Sequence, residues 1–153
     1  MQLYRFSPIR TEEELFIALR YILESIDSLS AEVCGSPLPA SYVTVFAHYP
    51  EEYEGIVQIF KKLGVSEEAN NGIKVALGFP LADGSLVTSV RVRKPDPYRM
   101  QVGCGDFYVS DYAKFKEKYL GRSDHVRLIE RPEYEMIEFF DPDVDVLGYV
   151  VSK

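Results

Sequence analysis

The chain has no tryptophan, only two cysteines and only two histidines in 153 residues. Cys34 and Cys104 stand far apart, with no CxxC or His-rich spacing. That excludes a zinc-finger pattern and a disulfide framework, and the expected setting is a reducing, cytoplasmic one. Basic residues are also scarce. Seventeen Lys and Arg face twenty-four Asp and Glu, a formal net charge of −7. Nucleic-acid binding needs a basic stripe that displaces counterions, so no nucleic-acid partner is expected. No apolar run approaches a membrane span, and Met1–Pro8 lacks the apolar core of a signal peptide, so no membrane partner is expected either. What is abundant is tyrosine and phenylalanine, eleven and nine. Hydrophobic residues make up 46%, which is ordinary for a globular chain long enough to enclose a core.

Periodicity gives the order of elements. Gln2–Pro8 alternates and predicts a short strand stopped by Pro8. Thr11-Glu12-Glu13-Glu14 has the form of a capping box. Leu15, Ala18, Leu19, Ile22, Ile26 and Leu29 continue it as a helical stripe to about Ala31. Cys34–Ala40 reads as a loop. Ser41–Tyr49 is a strand, and Pro50 opens a helix whose apolar stripe ends at Gly64. Val65–Asn71 reads as a polar connection. Ile73–Phe79 and Leu86–Arg93 flank Ala82-Asp83-Gly84-Ser85 as a hairpin. After Lys94-Pro95-Asp96-Pro97 come a strand in Met100–Val109, a helix opened by Ser110 and closed by Gly121, and strands at Val126–Glu130, Tyr134–Phe140 and Val144–Val151. The expected fold is therefore a single α+β domain: two βαβ-rich modules forming a curled mixed sheet, with helices on the outer face. Residues 1–40 add an N-terminal strand and helix, 41–98 form a βαββ module, and 99–153 form a βαβββ module.

Asp106-Phe107-Tyr108-Val109-Ser110-Asp111, running into a helix, and Met136-Ile137-Glu138-Phe139-Phe140-Asp141-Pro142-Asp143 resemble phrases of the vicinal oxygen chelate superfamily, the glyoxalase and bleomycin-resistance type. The resemblance covers the last third of the chain by phrase and the middle third by element order. It implies paired βαβββ modules around a ligand cleft and a divalent metal with Glu138 as ligand. Thr44 and Cys104 stand where the family places a metal-binding His, so no cofactor is certain.

The densest set of anchoring groups is Arg91, Arg93, Tyr98 and Arg99. Guanidinium groups grip carboxylates and phosphates, and Tyr offers a flat wall with a hydroxyl. His48, at a strand end, and Glu138 complete the predicted site; Arg93 and Glu138 are taken as repeat equivalents. The expected function is a cleft for an anionic or zwitterionic small molecule. A charged, salt-bridged linker is the plainer account of the same arginines. Two other readings are a protein-interaction or homodimerisation module built on Tyr108, Tyr112, Tyr119, Tyr134 and Tyr149, and a metal-dependent lyase or dioxygenase. Cys104, between two glycines, reads as a buried thiol. Asp141, Asp143 and Asp145 lack the Gly and Glu of a calcium loop.

Overall fold

Thr11 begins the first regular element as the sequence predicts. In this computed structural model, which describes residues 3–69, 71–96 and 98–152, its Oγ1 accepts from the Glu14 amide at 3.1 Å, and a Glu14 carboxylate oxygen accepts from the Thr11 amide at 3.0 Å. Helix α1 (Glu12–Cys34) ends at Gly35, whose φ of 87° is left-handed. Thr11→Ala is expected to cost about 1 kcal/mol, a loss of about 2–4 °C in Tm by circular dichroism. An unchanged Tm would mean that tertiary packing alone fixes this helix end.

Strand β1 (Ala40–Phe46), helix α2 (Pro50–Leu63) and strands β2 (Ser66–Ala69), β3 (Gly72–Ala76) and β4 (Ser89–Arg93) form the first half. Strand β5 (Gly103–Phe107), helix α3 (Tyr112–Tyr119) and strands β6 (Val126–Glu130), β7 (Glu135–Phe139) and β8 (Val146–Val151) form the second. The halves share one plan, βαβββ. The first is complete because Ser66–Ala69, read from sequence as a connection, pairs antiparallel with β3. The N-terminal segment corrects another expectation. Residues 3–8 turn through bends and contribute no strand, and Gln2 lies outside the described residues. Asp111 rather than Ser110 caps α3, its Oδ1 accepting from the Lys114 amide.

All eight strands form one open, mixed sheet in the order β2-β3-β4-β1-β5-β8-β7-β6. β1 runs parallel to β4, β5 runs parallel to β8, and β1 and β5 meet antiparallel at the centre. The order is symmetric about that seam. Each strand alternates, so one face takes Val43, Val45, Val90, Val92, Ile137 and Val150, all buried, and meets the helices. α1 lies across β1, β5 and β8, and α2 lies across β3 and β4. Phe115 of α3 packs toward Phe139 of β7. α1 can approach closely because β5 presents glycine to it. A Cβ on Gly103 would stand 2.5 Å from Ile22 Cδ1, and one on Gly105 would stand 2.3 Å from Ile26 Cδ1. Ile22 and Ile26 are fully buried there, each contributing about 1.5–3 kcal/mol by leaving water. No helix among the described residues is long and apolar enough to cross a membrane.

Candidate functional site

The face turned away from the helices carries the polar chemistry. The alternation that puts Val43 and Val45 in the core puts Tyr42, Thr44 and Phe46 on this face. Register then fixes their neighbours. Thr44 pairs with Arg91 of β4 on one side and with Cys104 of β5 on the other, and Asp106 pairs with Tyr149 of β8. The result is a cleft of about 440 Å³ straddling the seam, closed at its sides by Arg99, Arg131, Tyr134 and Met136. That volume suits a metabolite-sized ligand.

Its floor is a hydrogen-bonded chain. Tyr42 Oη donates to Asp106 Oδ2 at 2.8 Å, and Arg91 Nη1 donates to Tyr42 Oη at 3.0 Å. The Arg91 guanidinium also stands 5.1 Å from the centre of the Tyr42 ring. Burial pushes the Asp106 carboxyl above the usual range, against the pull of the Tyr42 hydroxyl and the Arg91 charge. Burial first, and the Asp106 charge second, raise the Tyr42 phenol well above its ordinary value. The same two causes push the Cys104 thiol up to about 12. Cys104 is thus a buried thiol that stays protonated at neutral pH and is a poor nucleophile. Arg93 stacks over Phe46 at 4.9 Å and pairs with Asp96 at 3.2 Å. Arg99 and Arg131 form no ion pair among the described residues. Four guanidinium groups therefore border a cavity whose single carboxylate, among the described lining residues, is Asp106.

Of the residues predicted from sequence, Arg91, Arg93 and Arg99 are brought together in this cleft. Tyr98 is not: its side chain points to solvent and the residue is 92% exposed. His48 is also elsewhere. Its ring stacks on Tyr4 at 3.9 Å, and its Nε2 lies 3.0 Å from the Gln101 carbonyl, which can only accept. Nε2 is therefore the protonated nitrogen, and Nδ1 accepts from Ser7 Oγ at 2.6 Å. Burial lowers the His48 pKa. With a backbone carbonyl on one nitrogen and a buried Ser7 on the other, this pair holds the N-terminal segment in place.

Glu138 shares the sheet face but does not line the cleft. It is 3% exposed, and both oxygens are taken: Oε1 by Arg127 Nε at 2.6 Å, and Oε2 by Tyr149 Oη at 2.7 Å. It belongs to no group of three candidate metal ligands among the described residues, and with both oxygens engaged the geometry does not favour it as a metal ligand. Its equivalence with Arg93 fails. Arg93 lies in β4, whose counterpart is β8, whereas Glu138 lies in β7. The group that does meet the geometric requirement is Glu32, His125 and Asp141, contributed by α1, the loop before β6 and the loop after β7. The five tyrosines of the interaction reading are scattered. Tyr108 is exposed, Tyr112 is bonded to Glu135, Tyr119 packs on Phe115, and Tyr134 and Tyr149 line the cleft.

Sequence reasoning missed Tyr42, Asp106 and Arg131 as site residues. Tyr42 and Asp106 carried a usable signal, since each alternates with core residues on a strand; Arg131, in the β6–β7 turn, carried none.

No protein family matches the chain by profile, and no curated protein matches it. Its fold is similar to that of a solved structural-genomics structure, protein EC4020. The TM-score is 0.66 at 13% identity, over 98% of this chain and 93% of that one. That likeness is one of fold alone.

Proposed function

We propose that the protein binds a small anionic molecule, a carboxylate or phosphate compound, in the arginine-bordered cleft. The observation that carries this reading is the excess of guanidinium charge at a concave site in an acidic protein, with Arg99 and Arg131 unspent on internal ion pairs among the described residues. Arg91 and Tyr42 supply a fixed hydrogen-bonding floor, and Tyr134, Met136 and Phe46 supply apolar wall. The vicinal oxygen chelate resemblance agrees with two βαβββ units around a cleft.

The divalent metal implied by that resemblance does not suit these residues. Among the described lining residues the single carboxylate already accepts from Tyr42, no imidazole is present, and arginines border the space. No step through a metal is derived for this cleft.

The test is isothermal titration with inorganic phosphate and with a panel of di- and tricarboxylates. The Arg99→Ala/Arg131→Ala double variant is expected to weaken the best ligand by at least about tenfold, or about 1.4 kcal/mol, while Tm without ligand stays within about 2 °C of wild type. Arg131→Lys is expected to recover only part of the affinity, because the planar fork is lost. Absence of any saturable anion binding, or an unchanged affinity in the double variant, would overturn the reading.

A further inference from the structure

Glu32 leaves α1 near its last turn, His125 precedes β6, and Asp141 follows β7. One donor atom from each lies within 4.8 Å of the others. His125 Nδ1 stands 3.0 Å from Glu32 Oε1 and 3.8 Å from Asp141 Oδ2. Donors about 2.0–2.2 Å from a single tetrahedral ion stand roughly 3.4 Å from one another, so small rotations would seat one ion among them.

Charge gives an independent argument. Asp145, Glu67, Asp96, Glu135 and Glu138 each pair with an Arg or Lys. Glu32 and Asp141 have no such partner among the described residues; both converge on one imidazole nitrogen. A single ring N–H satisfies at most one of them, and a neutral imidazole leaves two negative charges facing each other. A divalent cation neutralises both and takes the imidazole lone pair as well. The donors are also held from behind. Asp141 Oδ1 accepts from the Asp143 amide at 2.9 Å, which leaves Oδ2 for the site. The His125 amide donates to Ser123 Oγ, and the Phe140 amide donates to the His125 carbonyl at 3.0 Å, tying the two loops together.

We infer that Glu32, His125 and Asp141 form a binding site for one divalent transition-metal ion, Zn²⁺ foremost, separate from the anion cleft. Two carboxylates and one imidazole suit Zn²⁺ or Mn²⁺, with zinc the tighter by the usual order of divalent affinities. The ion would bridge the C-terminal end of α1 to the β6 and β7 loops. None of the three residues lines the cleft, so this inference stands or falls apart from the proposed function.

The experiment is titration of the chelator-treated full chain with Zn²⁺, and separately with Mn²⁺, read by calorimetry and by thermal shift. The expected result is one saturable site whose occupancy raises Tm, with Kd increased at least tenfold by Glu32→Gln, by Asp141→Asn and by His125→Ala. Glu32 is exposed on a helix surface, so Glu32→Gln tests the site without endangering the fold. Cys104→Ala and Arg99→Ala are expected to bind as wild type does. No saturable binding would overturn the inference, as would binding indifferent to Glu32→Gln and Asp141→Asn or binding lost only in the Cys104 or Arg99 variant.

Discussion

Gly103→Ala is expected to destabilise the protein by about 3 kcal/mol or more, whereas Gly105→Ala, two residues along the same strand, is expected to cost about 1 kcal/mol. The added methyl is the same; what it meets differs. At Gly103 the new Cβ would lie 2.1 Å from the Thr44 carbonyl oxygen as well as 2.5 Å from Ile22 Cδ1. The carbonyl belongs to β1, in the antiparallel seam that joins the halves. It cannot retreat without loosening that pairing. At Gly105 the close neighbour is the end of the Ile26 side chain, 2.3 Å away, which can turn to another rotamer. Urea unfolding of the two variants against wild type measures the contrast. For a chain of this length the Gly103 variant should lose about 6–12 °C in Tm. A Gly103→Ala variant within 1 kcal/mol of wild type, or one more stable than Gly105→Ala, would show that the seam is not rigid.

A loss of about 3 kcal/mol is likewise expected for Glu52→Ala. Glu52 is 4% exposed in the first turn of α2 and has no Lys or Arg partner within ion-pair distance among the described residues. Its carboxylate instead accepts two backbone amides, Oε1 from His48 and Oε2 from Ile9, each at 2.6 Å. Tyr49, at the helix start, offers no side-chain cap, so Glu52 reaches back in its place. The positive end of the helix dipole favours the charge there. Hydrogen bonds to charged groups contribute about 1.5–3 kcal/mol each, and removing the acceptor leaves two amides unsatisfied beside a buried Ile9. Hydrogen exchange separates the local effect from the global one. Ile9 and His48 amides should lose protection beyond the drop shared by core amides such as Val45. A Tm within 2 °C of wild type would sink this account.

How far the sequence reveals such features depends on whether a feature is local. The Thr11–Glu14 box, the stripe of α1 and the Pro50 start of α2 are encoded within a few residues, and each forms as its pattern predicts. β2 escaped notice because Ser66–Ala69 sits at the sheet edge. It pairs on one side and shows half-buried and exposed residues throughout, so no apolar alternation marks it. The equivalence of Glu138 with Arg93 rests on matching the sequence pair Asp96-Pro97 with Asp141-Pro142, yet Asp96 follows β4 whereas Asp141 lies between β7 and β8. The site divides along the same line. Arg91 and Arg93 alternate with buried Val90 and Val92, so their common face was legible. Tyr98 is grouped with them by its place in the linking chain and His48 by its place at a strand end, and neither position says anything about direction. Tyr42 and Asp106 are 64 residues apart and meet only because β1 and β5 form the seam.

The place of β8 has a consequence for how the polypeptide comes together as it is made. β8 follows the other seven strands in the chain, yet it lies inside the sheet, between β5 and β7. α1, synthesised long before it, rests partly on it. While the chain is being extended, β5 and β7 each have an edge without a partner, and α1 lacks part of its apolar seat. Native pairing across this slot waits on β8, and exposed strand edges invite association with other chains in the interval. The symmetric order of the sheet thus leaves a nascent chain dependent on β8, made after the seven strands around it, for a closed core.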